Sequence, residues 1–233
     1  MVGLWSKTLN ITANPSGAVT AAKEGNIIMV VDVIDMSTTA EAALEEGIIE
    51  VLGASPDYSK APVTLNPEKI GYFAGKKAIK YETEVIIAAE PRFINIKQPP
   101  EKIKKEGIQK VIKGIEKSGA TVNTVIPNLG KDCSEIVDFK NRILVIVSSC
   151  GGTVYDAAYN HGAIEVITGT IARTLNMKGS RPAKTAAKRA INLSAKFQSG
   201  ISVVAASSNS LEDMLAANYI ADQIIREGFL ELD

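Results

Sequence analysis

One internal repeat narrows the choice of fold more than any other feature of this sequence. Residues 143–170 repeat the organisation of residues 28–55, without a gap, at a constant offset of 115. Over the 24 aligned positions from 28 to 51 there are nine identities, among them Thr38/Thr153, Ala42-Ala43/Ala157-Ala158, Gly47/Gly162 and Ile49-Glu50-Val51/Ile164-Glu165-Val166. In each copy an apolar run passes through a turn into a helix, a glycine closes the helix, and a second apolar run follows, which is the pattern of a βαβ unit. Two such units packed around a pseudo-two-fold axis bring two strand-to-helix turns together. Unpaired backbone N–H groups at helix starts suit an anion, so the pair could grip one ligand from opposite sides.

The rest of the chain alternates strands and helices. Trp5–Ala13 reads as an edge strand, Pro15–Glu24 as a short helix, Thr121–Ile126 and Ile201–Ala206 as strands, and Arg181–Gln198 and Leu211–Glu227 as helices. Lys102–Ser118 is amphipathic with a lysine-rich solvated face, whereas Asp57–Lys80 shows no clear period and reads as loop with a short helical piece. The expected fold is α/β: a three-layer α/β/α domain over residues 1–233 with a mixed, mostly parallel sheet, an internal βαβ duplication, and pseudo-repeat halves of about 1–119 and 120–233.

Composition excludes some functions. Lys plus Arg and Asp plus Glu each number 26 and form no long block of either sign, so nucleic acid and anionic membranes are not expected partners. No apolar run reaches transmembrane length, the two cysteines (Cys133 and Cys150) have no zinc spacing, and no leader is evident, which points to a cytoplasmic protein; a homo-oligomer is compatible with the chain. His161 is the single histidine, so a metal site must rest on carboxylates, hydroxyls and backbone oxygens, ligands that suit Mg2+.

Chemistry-bearing residues gather at three strand-to-helix turns, 32–39, 148–153 and 207–213. Asp32 interrupts the apolar run Val30-Val31-Asp32-Val33, and a carboxylate there must be paired, hydrogen-bonded or bound to a cation. Ser37, Thr38 and Thr39 can cap a helix or hold a phosphate or sulfonate. Cys150-Gly151-Gly152-Thr153 can cradle an anion or, as a nucleophile elbow, present Cys150 to an acyl group. The second reading lacks a base, since His161 falls at the far end of the intervening helix. Glu212 and Asp213 open the last helix, where they serve capping or, together with Asp32, magnesium.

At these turns the sequence resembles the 2-phosphosulfolactate phosphatase family, magnesium-dependent hydrolases of coenzyme M biosynthesis. The resemblance rests on Val31-Asp32-Val33-Ile34-Asp35-Met36-Ser37-Thr38-Thr39, on Gly152-Thr153, and on Ser210-Leu211-Glu212-Asp213 before a helix. Asp35 stands where that family carries an arginine. The resemblance implies a phosphatase acting on a small anionic substrate, a phosphorylated acid. Asp32 and Asp213 would be catalytic and, with Glu212, would hold Mg2+ or orient water; Ser37, Thr38, Thr39, Gly151, Gly152 and Thr153 would receive the phosphate, and Arg173 would meet a second anionic group. A non-catalytic relative that binds an anionic ligand or a partner subunit is the alternative.

Overall fold

The computed structural model describes residues 7–34, 36–90 and 107–231. Asp35, the residues before Lys7, and the first part of the expected 102–118 helix lie outside them. In chain order the elements are β1 Leu9–Ala13, α1 Asn14–Lys23, β2 Ile27–Val31, α2 Met36–Glu45, β3 Glu50–Ala54, α3 Pro67–Lys80, β4 Val85–Ala89, α4 Gln109–Lys117, β5 Val122–Pro127, a 3₁₀ turn Gly130–Glu135, β6 Ile143–Val147, α5 Gly151–Asn160, β7 Val166–Gly169, α6 Arg181–Phe197, β8 Ile201–Ala205 and α7 Leu211–Arg226.

The strands form two four-stranded sheets, ordered β1-β8-β2-β7 and β3-β6-β4-β5. Every pairing among the described residues is parallel, so the expected antiparallel component is not seen there. Burial on both faces explains the unbroken apolar runs: all five residues of β2 are buried, Ile28 and Val30 on one side and Met29 and Val31 on the other. Met29 and Val31 meet the alanine-rich faces of α6 and α7, through Ala186, Ala190, Ala217 and Ala221 among others. On the opposite side lies a helical layer centred on α2 and α5, both of which pack against strands of each sheet. Each sheet is thus the middle of an α/β/α sandwich, and the two sandwiches share their inner helices.

The repeat recurs in three dimensions. α2 and α5 begin and end at positions separated by 115, and the glycines that follow them, Gly47 and Gly162, have φ of 86° and 85°. That left-handed conformation at a helix end explains why both copies hold glycine. Each unit crosses from one sheet to the other, so β2 pairs with β7 and β6 with β3; Ile28 lies opposite Val166 and Ile143 opposite Glu50, equivalent registers to within one residue. Read from the far edge, the second sheet runs β5-β4-β6-β3, and its strands answer in turn to β1-β8-β2-β7.

The segment 57–80 departs from its expected loop character, for it ends in the 14-residue α3, started by Asn66, whose side chain accepts from Lys69 N, with Pro67 in the first turn. Its glycines hide the helix in the sequence and serve packing. A Cβ on Gly71 would lie 2.1 Å from Val111 O, and one on Gly114 would lie 2.0 Å from Glu68 O, so α3 and α4 cross almost backbone to backbone. No helix among the described residues is long and apolar enough to cross a membrane.

Candidate functional site

β2 and β8 are neighbours, but the chain leaves β2 toward the inner helical layer and leaves β8 toward the outer one. Such a divergence opens a crevice at the carboxyl edge of a parallel sheet, the usual ligand position in α/β folds. Here it measures about 330 Å3 and is lined by Asp32, Ile34, Cys150, Ser207, Asn209, Ser210, Glu212 and Asp213. All three carboxylates expected from the sequence therefore meet in one crevice, although 181 positions separate Asp32 from Asp213.

Asp32 is buried at 2% exposure. Its Oδ2 accepts from Gly151 N (2.7 Å) and from Ser148 Oγ (3.3 Å), so its carboxylate sits at the start of α5, in the other repeat unit. Asp213, 3% exposed, accepts from Val33 N at 2.9 Å through Oδ1, tying the turn after β2 to the start of α7. Burial pushes the Asp213 carboxyl above its ordinary range despite the N–H groups it accepts from, and the neighbouring Glu212 adds to the rise. Glu212 is exposed at the mouth. Asn14, at φ 67°, pins the loop after β8: it donates to Ser208 Oγ and accepts from Ser208 N, both at 2.9 Å.

The described lining carries three acidic residues and no basic one. Its field favours a cation, and an anion gains from it only alongside one. Among the described residues no three His, Cys, Asp or Glu side chains are grouped closely enough to hold a metal alone. A magnesium ion commonly takes only one or two carboxylates and keeps several waters, so Glu212 with Asp213 or Asp32 fits its donor chemistry.

The expected phosphate-binding residues fall elsewhere. Ser37 Oγ donates to Val30 O and accepts from Asp32 N. Thr38 Oγ1 donates to Val33 O at 2.7 Å and Thr153 Oγ1 to Ser148 O at 3.2 Å, the same bond in the two repeat units. Thr39 Oγ1 donates to Asn128 Oδ1. These hydroxyls build the turns. Gly151 and Gly152 are buried in the first turn of α5; a Cβ on Gly152 would lie 2.3 Å from Ala54 O, so close approach of helix to strand requires this glycine. Arg173 is exposed on the loop after β7, and its neighbour Thr174 bonds Glu45 at the far end of α2. It does not line the crevice among the described residues.

Cys150 lies at the crevice and precedes α5, whereas His161 follows the last residue of that helix, its Nδ1 2.8 Å from Ala157 O. The helix, about 15 Å long for ten residues, separates them. Sequence reasoning passed over Asn14 and also a second equivalent pair, Glu41 and Asp156. Both are buried on the inner helices; Glu41 bonds Arg189 and Thr168, and Asp156 accepts from Ser55 and Asn66 N. An acidic residue within Ala40-Glu41-Ala42 and again within Tyr155-Asp156-Ala157, at the repeat offset, was the available signal. No protein-family model matches the chain, and no curated protein is significantly similar to it.

Proposed function

We propose that the crevice between β2 and β8 binds a magnesium ion and hydrolyses a small phosphorylated acid there. The observation that carries this reading is the meeting of Asp32, Glu212 and Asp213, from opposite ends of the chain, at a switch point of the sheet. Glu212 with Asp213 would hold the ion, which when bound neutralises phosphate charge and polarises the phosphoryl group. Asp213, its Oδ1 fixed by the Val33 N–H, would also orient the attacking water. Asp32 keeps the turn after β2 docked on α5 and closes the crevice floor.

The test is phosphate release from a panel of small phosphorylated acids, 2-phosphosulfolactate included, with and without magnesium, in wild type, Glu212→Gln and Asp32→Asn. Magnesium-dependent release that drops at least about 100-fold in Glu212→Gln, the size of a lost electrostatic contact in catalysis, is expected. Absence of release across the panel, or release indifferent to both substitutions, removes the catalytic reading. A second reading, ligand binding without turnover, draws support from Asp32 and Asp213, whose carboxylates already accept from Gly151 N and Val33 N. Calorimetric binding of the same acids with magnesium but without release would decide for it.

A further inference from the structure

A second cavity lies where β3 and β7, the edge strands of the two sheets, approach each other. It measures about 290 Å3, near the lower end of pockets for small ligands, and its polar wall is formed by Glu50, Lys77, Tyr155, Glu165 and Arg189. Leu44, Ile49 and Ile167 contribute apolar surface.

Glu50 and Glu165 are repeat equivalents, part of the Ile-Glu-Val run that the two copies share. Their surroundings have diverged. Glu50 is paired with Lys77 from α3 at 2.7 Å. From α6, the helix that answers to α3, Arg189 turns away to Glu41 and to Thr168 O at 2.8 Å, and Glu165 forms no salt bridge among the described residues. Burial and the charge of Glu50 push the Glu165 carboxyl up, as expected for a carboxylate facing its like in a partly buried place.

One donor in the same wall is left over. Tyr155 is 4% exposed, and its hydroxyl meets no hydrogen-bond partner among the described residues. Burial first, then the charges of Glu165 and Glu50, raise that phenol well above its ordinary pKa, so it stays a donor. Buried polar groups are normally paired, and a cavity wall that holds a phenol donor without a protein acceptor beside a carboxylate without a salt bridge among the described residues is complementary to a molecule carrying both an acceptor and a cation.

We propose that this cavity binds a compact zwitterion of amino-acid type, its ammonium group taken by Glu165 beside Glu50 and its carboxylate accepting from Tyr155, with Arg189 adjacent. The site joins two sheets and four helices, so occupancy clamps the two repeat units together. It is separate from the crevice between β2 and β8 and does not depend on the activity proposed there.

The experiment is calorimetric titration and thermal unfolding of the full chain with L-valine, L-leucine and γ-aminobutyrate, and with butylamine and butyrate as half ligands. At least one zwitterion is expected to raise Tm by about 3–5 °C at roughly tenfold saturation, with neither half ligand matching it. Glu165→Gln should abolish the shift and Tyr155→Phe should weaken binding about tenfold, circular dichroism verifying that both variants fold. The proposal is overturned if no zwitterion binds at millimolar concentration, if butylamine alone does as well, or if binding survives in Glu165→Gln.

Discussion

Asp32→Ala is the substitution that most directly separates architecture from chemistry at the crevice. In the wild type, Asp32 Oδ2 accepts from Gly151 N at 2.7 Å and Ser148 Oγ at 3.3 Å, both in buried surroundings. Leaving a buried donor without its acceptor costs about 1–3 kcal/mol, and removing a negative charge from a helix start costs about 0.3–1 kcal/mol, up to ~2 when partly buried. Partial relaxation of the serine hydroxyl places the sum near 3 kcal/mol. For a chain of this size each kcal/mol lowers Tm by about 2–4 °C, so a fall of roughly 6–12 °C is expected. Asp32→Asn keeps an acceptor oxygen and should lose about 1 kcal/mol. Glu212→Gln, on an exposed side chain, should stay within about 0.5 kcal/mol of wild type. Urea unfolding followed by circular dichroism, without magnesium, ranks the three. If Asp32→Ala unfolds at the wild-type midpoint or above it, Asp32 is a strained functional carboxylate, and the capping argument is wrong.

Gly152→Ala should be destabilised by about 1–3 kcal/mol in the same assay, because its Cβ would press on Ala54 O; unchanged stability with lost ligand binding would instead restore this glycine to the role of anion cradle. The Glu165 carboxyl is raised in the fold, so its folded form binds the proton more tightly: its contribution is fully present below the unfolded pKa, about 4, and is lost as pH rises through the folded value. Glu165→Gln should therefore be more stable than wild type at neutral pH and lose that advantage near pH 4, as urea midpoints across pH will read. A thiol reagent should label Cys150 quickly in the native protein and reach Cys133 only on unfolding, since Cys133 is buried and burial pushes its thiol up; two fast thiols would contradict the packing around Thr39 and Pro127.

The sequence disclosed elements and turns more readily than neighbours. Apolar runs such as Ile27–Val31 and Ile143–Val147 announce strands buried on both faces, and Gly47 and Gly162 announce helix ends. Nothing local distinguishes one sheet from two, because α2 and α5 cross between sheets by geometry that no side-chain period encodes. α3 was obscured by Gly71 and Gly75, residues with poor helix propensity that are there for contact with α4. At the crevice, the residue types pointed to Asp32, Glu212 and Asp213 because buried or clustered carboxylates demand a partner. The partners themselves, Gly151 N and Val33 N, are backbone groups and leave no mark in composition.

The duplication bears on the site through what the copies no longer share. Met36 and Gly151 are equivalent first residues of α2 and α5, and a Cβ on Gly151 would lie 2.9 Å from Met36 Cβ, so the two helix starts abut and a second methionine would not fit. One position before the turn residue Val33, the first copy has Asp32; the equivalent of Asp32 in the second copy is Val147. The carboxylate of one copy occupies the helix start of the other, and no carboxylate at position 147 returns the favour. Two helix starts that could in principle share an external anion are thereby reduced to one, since α5 already receives its negative charge from within the chain. A phosphate entering the crevice would meet α2 or α7 across a wall of Asp32, Glu212 and Asp213. Repulsion from that wall opposes an anion entering alone, so magnesium dependence, more than the identity of the acid, is the decisive property to measure.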